Sequence, residues 1–270
     1  MLKRTITGAI VLVFVYAWLF FSYIPAVLYL GTFLLGILAV YELLRICKTD
    51  KITPRWIMMF LSALLLISPI PAYEYLMLPI LLVSLILFGV LMTKKDSIKE
   101  LNLMLTSVVS ITVVLLSKAI PILRELNNGF YYLIFAMTSC FVTDVAALLC
   151  GRAFGKRKLC PKISPKKTVE GAIGGVLCTV IIAVVAAILL QKYASMSFNM
   201  IILIVWAVLI SIVGQFGDLC MSVVKRIAGV KDFGKLMPGH GGILDRFDSH
   251  IFAIAFALAF CVITGGFICI

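Results

Sequence analysis

Residues 200–221 read MIILIVWAVLISIVGQFGDLCM, an apolar run whose one charged side chain is Asp218. A helix that crosses a membrane needs about 20 mostly apolar residues, so this run predicts a membrane-spanning helix. Similar runs recur along the chain, which has 270 residues, 63% of them hydrophobic and 13% charged. A soluble domain carries about twice that charged fraction. The sequence therefore predicts an all-α polytopic membrane protein.

We predict nine membrane-spanning helices. The first begins with a basic segment and an apolar core, as a signal peptide does, but its apolar run is too long and no small-residue cleavage site follows it. We therefore expect this run to be retained as a helix. The approximate limits of the nine predicted spans are 5–23, 25–44, 55–71, 76–93, 102–122, 129–150, 171–190, 200–221 and 249–269.

The lysines and arginines indicate how these helices are oriented. With the N-terminus on the cytoplasmic side, all but three of the 24 basic residues fall in cytoplasmic segments, and the exceptions are Lys118, Arg124 and Lys192. Because positive residues gather on the cytoplasmic side of membrane proteins, we expect the N-terminus inside and the C-terminus outside. The net charge of +12 then reports topology, and we expect no nucleic-acid partner.

The residues that could carry chemistry gather in the second half of the chain. We expect residues 1–73 to form N-terminal scaffold helices, and residues 74–126 to form middle scaffold helices that could supply a dimer contact. Residues 127–270 would form the catalytic transmembrane region, with cytoplasmic loops 152–170 and 222–248. No matched pair of broken helices recurs in the two halves, which argues against a transporter.

Residues 222–248, SVVKRIAGVKDFGKLMPGHGGILDRFD, form the longest polar break between the apolar runs. The glycines Gly241 and Gly242 permit the close backbone approach with which N–H groups surround a phosphate. His240 could donate to a phosphate oxygen, and its alternative role is to hydrogen-bond the loop itself. This density of cations, acids and glycines indicates a site for phosphates and a divalent metal.

Four carboxylates could serve such a site. Asp144 and Asp218 lie inside apolar segments, where a carboxylate is costly and by default faces a partner or a wet cavity. Asp245 and Asp248 are three residues apart and share one face where the ninth span begins. They are candidate ligands for Mg²⁺, which typically takes one or two carboxylates plus substrate phosphates. The alternatives are an intramembrane ion pair or a protonated acid for the first two and helix capping for the second two.

Helical spacing places further polar residues on the same face as Asp218. Positions 218, 222, 225 and 226 fall on one face of a helix. Asp218, Ser222, Lys225 and Arg226 would therefore form a polar stripe that descends to the inner membrane surface. Such a stripe suits a metal ion with phosphate oxygens beside it.

The loop at 152–170 offers a second group of cations. Ser164-Pro165-Lys166-Lys167-Thr168 is predicted to form a short turn that carries two hydroxyls and two ammonium groups. This turn could bind an anion. A basic loop beneath a membrane can equally attract anionic lipid head groups and have no other function.

The polar stretch contains, in order, S-x-x-K-R, K-D-x-G, P-x-H-G-G and D-R-x-D. This string resembles the signature of the phosphatidate cytidylyltransferases, also called CDP-diacylglycerol synthases. The segment from Asp144 to Gly171 also looks like that family, so the resemblance is specific over about 144–250 and only hydropathic before it. The departures are Met237, where leucine, isoleucine or phenylalanine is usual, Leu148, where tyrosine is common, and Val169, where tryptophan is common. The last two could alter the wall of a substrate cavity but remove no ionisable group.

The resemblance implies transfer of a cytidylyl group from CTP to phosphatidate, which yields CDP-diacylglycerol and pyrophosphate. It also implies a requirement for Mg²⁺ in a two-metal site. The protein would be a homodimer in the bacterial inner membrane, with the active site facing the cytoplasm and the acyl chains of phosphatidate entering from the bilayer.

Under this interpretation the predicted site residues fall into three groups. The metal ligands are Asp218, Asp245 and Asp248. The cations that neutralise the triphosphate and the departing pyrophosphate are Lys225, Arg226, Lys231 and Arg246. The other substrate contacts are Asp144, Ser164, Lys166, Lys167, Thr168, Ser222, Asp232, His240, Gly241 and Gly242.

Two other functions compete with this one. A CTP-dependent lipid kinase of the polyprenol or phytol type has a related basic loop and would release CDP instead of pyrophosphate. A transporter of a phosphorylated metabolite would carry charged residues near the middle of several helices, whereas here the charges lie at one membrane face.

Overall fold

The structure is a computed structural model that describes residues 13–46, 52–67, 73–94, 103–234 and 241–269. These ranges contain ten helices and two small antiparallel strand pairs. The helices are α1 (Val13–Tyr23), α2 (Pro25–Ile46), α3 (Ile52–Ile67), α4 (Tyr73–Lys94), α5 (Leu103–Ser117), α6 (Ala119–Glu125), α7 (Gly129–Phe154), α8 (Val169–Ala194), α9 (Met200–Ile227) and α10 (Leu244–Thr264). The strands are β1 (Lys158–Cys160), β2 (Ser164–Thr168), β3 (Ser197–Phe198) and β4 (Ile268–Cys269).

Seven segments of the described ranges are long and apolar enough to cross a membrane. They are α2, α4, α7, α8, α9, α10 and the α5–α6 pair, which counts as one span over Leu105–Glu125. The helical polytopic architecture predicted from the sequence is thereby confirmed. Helices α1 and α3 coincide with the first and third predicted spans, but their described apolar parts, Val13–Tyr23 and Trp56–Ile67, are shorter. Nine crossings and the orientation of the termini stay predictions.

Helix α10 lies at the centre of the bundle. It contacts α2, α4, α5, α6, α7 and α9, and Ile251, Phe252 and Ala255 are fully buried. The helix begins at Leu244, earlier than the predicted limit of 249, so Asp245 lies in its first turn. The carboxylates of the polar stretch are therefore carried by the most enclosed helix of the fold.

Small residues let the helices around the predicted site approach closely. A Cβ atom on Gly174 of α8 would lie 2.6 Å from the Sγ atom of Cys150 on α7. A Cβ atom on Gly217 of α9 would lie 2.8 Å from the ring of Phe252 on α10. Small residues are the usual means of close helix packing in membranes, where dispersion contacts replace the hydrophobic effect. These glycines hold α7 against α8 and α9 against α10.

The two strand pairs depart from a purely helical fold. Strand β1 pairs with β2, so the segment Ser164–Thr168, predicted as a short turn, is a strand of a hairpin between α7 and α8. The backbone of this polar connection satisfies its hydrogen-bonding groups by pairing with itself, and Val169 N continues the pairing by donating to Arg157 O at 2.9 Å. Strand β3 pairs with β4 and joins the α8–α9 connection to the segment after α10.

Lys118, one of the three basic residues outside the predicted cytoplasmic segments, is a buried cation. This residue lies at the break between α5 and α6 and is only 7% exposed. Its Nζ atom donates to Leu65 O at 2.8 Å, near the end of α3, where the carbonyl groups accept no hydrogen bond from within the same helix. Nζ also lies 5.6 Å from the ring centre of Tyr73 on α4. Lys118 thus joins three elements of the scaffold.

Candidate active site

A cavity of about 260 Å³ opens among α7, α8, α9 and the β1–β2 hairpin. It brings together two features that were predicted separately, the intramembrane carboxylates and the basic loop. The residues that line it are Asp144, Ala147, Leu148, Leu159, Lys166, Lys167, Thr168, Ala172, Gln215 and Asp218. Two acids and two lysines therefore share one cavity at the end of three apolar helices.

Asp218 is the acid with the most direct partners in this cavity. Its carboxylate forms an ion pair with the Lys167 ammonium group of β2. Ser222 Oγ donates to Asp218 Oδ1 at 3.4 Å, across one turn of α9. Because α9 continues without a break to Ile227, the predicted polar stripe on one helical face is present.

Lys225 extends the stripe into the interface between α9 and α10. Its Nζ atom donates to Asp245 Oδ1 at 2.8 Å and lies 3.7 Å from Asp248 Oδ2. The same ammonium group lies 5.1 Å from the ring centre of Phe233. All three charged residues are buried, and a buried carboxylate left without its cation would be strongly unfavourable. Lys225 is therefore an internal counter-ion in this structure.

Asp245 joins the two described ends of the polar loop. Its second oxygen, Oδ2, accepts the backbone N–H groups of Phe233 at 2.8 Å and Gly242 at 2.9 Å. Gly241 has φ +86°, and a Cβ atom there would lie 2.7 Å from the same oxygen, so this position requires glycine. With these contacts Asp245 fixes the loop, and a metal ion would share its Oδ1 atom with Lys225.

Asp248 lies one turn further along α10 and faces the other acids. Its Oδ1 atom accepts the backbone N–H of Ser249 at 2.8 Å, and it interacts electrostatically with both Asp218 and Asp144. The carboxylates of α7, α9 and α10 are therefore near enough to influence one another electrostatically. Within the described ranges, no three acids, histidines or cysteines stand close enough to form a ready-made metal cluster.

The remaining predicted cations lie at the surface of this end of the bundle. Arg226 is exposed, and its Nε atom donates to Ile163 O at 3.0 Å, so it ties α9 to the β1–β2 hairpin. Lys231 and Arg246 are also exposed. The other predicted residues of the polar stretch are Asp232, which is exposed, Gly242, which is buried, and His240, which lies outside the described residues.

The hairpin residues divide into two groups. Lys166 and Lys167 line the cavity, as an anion-binding role requires, and Ser164 is half-buried at the start of β2. Thr168 has a structural contact, because its Oγ1 atom accepts the backbone N–H of Gly171 at 3.1 Å and so caps α8. Its hydroxyl still borders the cavity.

Three residues with clear positions near the site were missed in the sequence. Gln215 lines the cavity one turn before Asp218, and nothing in its apolar surroundings marks it. Glu170 accepts the backbone N–H of Lys156 at 3.0 Å and holds the hairpin, which a threonine and an acid at a helix start could have indicated. Glu42 of α2 bonds to the start of α10, and the rule that singled out Asp144 as an intramembrane acid would also have found it.

The chain is similar to known proteins of one family. Residues 2–264 match the model of the cytidylyltransferase family. Phosphatidate cytidylyltransferases of Staphylococcus epidermidis and Staphylococcus haemolyticus are 44% identical to this chain over 128 residues, and that of Staphylococcus aureus is 43% identical over the same length. Each match covers 47% of this chain and 48% of the relative, so the chain spans about half the length of the curated relatives it matches. The family match extends over nearly the whole sequence, and the chain belongs to the cytidylyltransferase family.

Proposed function

We propose that this protein transfers the cytidylyl group of CTP to phosphatidate and releases pyrophosphate. The observation that carries the proposal is the cavity in which Asp144 and Asp218 meet Lys166 and Lys167. Acids and lysines in one pocket suit a reaction between two phosphate compounds, and the pocket's position among membrane helices suits a lipid substrate. The family match and the names of the relatives support the same activity.

The chemistry requires positioning and charge neutralisation more than covalent participation by the protein. A phosphatidate oxygen attacks the α-phosphorus of CTP while the bond from that phosphorus to the oxygen bridging to the β-phosphorus breaks. The attacking phosphate carries a charge of about −1.5 to −2 near neutral pH, so it needs no general base. Lys166, Lys167 and Arg246 would reduce its repulsion from the triphosphate, and the exposed Lys231 would contact the departing pyrophosphate.

Mg²⁺ fits the donor types of the site. The carboxylates of Asp144, Asp218, Asp245 and Asp248 supply the hard oxygen ligands that Mg²⁺ prefers. One Mg²⁺ ion typically takes one or two carboxylates, so four acids support a two-metal site. When bound, the ions would neutralise the phosphate oxygens and orient the two substrates. Asp218 and Asp248 would be the principal ligands, since Asp245 already bonds to Lys225 and to two backbone amides.

The membrane orientation is part of this proposal. Nine crossings with a cytoplasmic N-terminus would place the loops 152–170 and 222–248 on the cytoplasmic side, where CTP is available. The distribution of basic residues supports this orientation. The relatives are bacterial, which supports a location in the bacterial cytoplasmic membrane. We propose a homodimer on the strength of the family resemblance.

The direct test incubates the purified protein with CTP, phosphatidate and Mg²⁺. The proposal predicts equal amounts of pyrophosphate and CDP-diacylglycerol, and no lipid product when diacylglycerol replaces phosphatidate. Release of CDP with a newly phosphorylated lipid would identify a lipid kinase instead. Absence of any nucleotide turnover, together with uptake of a phosphorylated metabolite into vesicles, would identify a transporter.

A further inference from the structure

Glu42 lies far from the predicted site in sequence but contacts α10, the helix that carries Asp245 and Asp248. It belongs to α2, in the segment predicted to be only a scaffold, and is 3% exposed. Its Oε1 atom accepts the backbone N–H of Ile243 at 2.9 Å, and its Oε2 atom accepts that of Leu244 at 2.9 Å. Both oxygens of a buried carboxylate are thus directed at the first residues of α10.

These bonds satisfy a need that α10 cannot meet by itself. The first N–H groups of a helix have no partner within the helix, and a side chain at the N-cap usually supplies one. Here the N-cap residue is Ile243, whose apolar side chain has no acceptor. Glu42 supplies the missing acceptor from another helix, and its negative charge also complements the positive end of the α10 dipole.

The loop beside Glu42 is shaped to admit this carboxylate. A Cβ atom on Gly242 would lie 2.2 Å from Glu42 Oε2, and one on Gly234 would lie 2.5 Å from Glu42 Oε1. A side chain at either position would have to displace the Glu42 carboxylate, so glycine at both positions lets the backbone come this close. Glu42 is therefore enclosed by the polar loop on one side and the start of α10 on the other.

The two residues that donate to Glu42, Ile243 and Leu244, directly precede the carboxylates of α10. Leu244 precedes Asp245, whose Oδ1 atom accepts from Lys225 at 2.8 Å, and Lys225 Nζ lies 3.7 Å from Asp248 Oδ2. A displacement of the first turn of α10 would therefore move two carboxylates and their shared cation together. In enzymes, a misplacement of about 1 Å caused by a distant change can reduce the rate by about 100-fold.

We propose that Glu42 is a positioning residue, which holds the start of α10 so that Asp245, Lys225 and Asp248 keep their places in the active site. As a statement about catalysis, this inference rests on the proposed cytidylyl transfer. As a statement about α10, it stands on the contacts alone. Under this proposal α2 helps to position the active-site residues, in addition to its role as scaffold.

The test compares Glu42→Gln with wild type in two measurements. Glutamine keeps the size of the side chain but loses the charge and one acceptor, so a role in packing alone would survive this change. We expect kcat to fall about 10- to 100-fold and backbone amide exchange to quicken in residues 241–248 but not in 129–154. Glu42→Asp keeps the charge on a shorter side chain, so its kcat and its amide exchange should lie between those of wild type and those of Glu42→Gln.

Glu125→Gln is the matched control. Glu125 also contacts α2, since it accepts from Tyr29 Oη at 2.5 Å, but it lies at the exposed end of α6 and should leave both measurements unchanged. An unchanged kcat or unchanged exchange in 241–248 for Glu42→Gln would overturn the proposal. If that variant does not fold, Gly234→Ala crowds the same carboxylate from the loop side, and the same two outcomes decide. Should wild type fail to release pyrophosphate, the proposed function is wrong, while the exchange measurement still decides whether Glu42 holds α10.

Discussion

At the scale of single residues, Asp218 is the carboxylate whose replacement separates a catalytic from a structural role most clearly. Asp218→Asn keeps the size of the side chain and removes the charge that pairs with Lys167. Outer-shell changes around a metal typically cost about 10- to 100-fold in activity, so loss of a direct ligand should reduce cytidylyl transfer by at least about 100-fold. The rate at which the detergent-solubilised protein forms CDP-diacylglycerol from labelled CTP measures this loss.

The size of the remaining activity in Asp218→Asn decides the role of this residue. Near-normal formation of CDP-diacylglycerol would remove Asp218 from the metal site. Glu125→Gln, which makes the same chemical change outside the cavity, provides the reference rate, and retained helical circular dichroism shows that both variants fold.

Lys118 should matter for stability and not for chemistry. Lys118→Met removes the ammonium group that donates to the carbonyl of Leu65, and a hydrogen bond from a charged group contributes about 1.5–3 kcal/mol. We expect a lower unfolding temperature and an unchanged rate per folded molecule. Lys192→Met is the control because Lys192 is exposed, and it should change neither quantity. A Lys118 variant as stable as wild type would contradict the structural role.

At the scale of elements, the contact between α9 and α10 depends on a position without a side chain. Gly217→Ala would place a methyl group 2.8 Å from the ring of the buried Phe252, and overpacking of this kind costs about 1–3 kcal/mol. The variant should unfold at a lower temperature and lose activity, because the two helices carry the acids of the site. Unfolding of the detergent-solubilised protein measures the first effect.

Gly89→Ala provides the matched comparison for Gly217→Ala. A Cβ atom at Gly89 of α4 meets no atom of the described structure within 4 Å, and alanine is favoured over glycine within a helix by about 0.5–1 kcal/mol. The two substitutions should therefore change stability in opposite directions. Equal effects would show that the α9–α10 contact is looser than the structure indicates.

The sequence predicts some elements better than others. Features that depend on neighbouring residues are predictable, whereas features that depend on residues far along the chain are not. The polar stripe from Asp218 to Lys225 follows from helical spacing alone, so it was predicted correctly. Strand β2 was predicted as a turn, because its pairing with β1 and not its own pattern makes it a strand. Glu42 was missed, since its partners Ile243 and Leu244 lie on another helix far along the chain.

At the scale of the whole molecule, the orientation in the membrane can be tested with fusions at the C-terminus. If the protein crosses the membrane nine times with its N-terminus inside, the C-terminus is outside. Alkaline phosphatase fused there should be active in cells, whereas green fluorescent protein fused there should stay dark. The reverse result would contradict the proposed topology, because it requires either an even number of crossings or an N-terminus on the outside.

The packing of the whole molecule also explains why the positions of basic residues in the sequence do not show which of them belong to the site. The sequence places most basic residues on one side, but it does not distinguish a cation in solvent from one enclosed by acids. Lys225 is 8% exposed, whereas Arg226, its neighbour in sequence, is exposed. Only the position of α10 against α9 makes one of them an internal counter-ion.

If the cavity binds a phosphate and a metal ion as proposed, the ion pair between Lys167 and Asp218 would make the binding of the two cooperative. A phosphate that takes Lys167 as its partner leaves Asp218 with an unneutralised charge, which raises the affinity of Asp218 for a metal ion. By thermodynamic reciprocity the metal ion raises the affinity for the phosphate by the same factor. Before either arrives, the pair keeps both charges satisfied, so a lone anion from the surrounding lipid must compete with an internal carboxylate for the lysine.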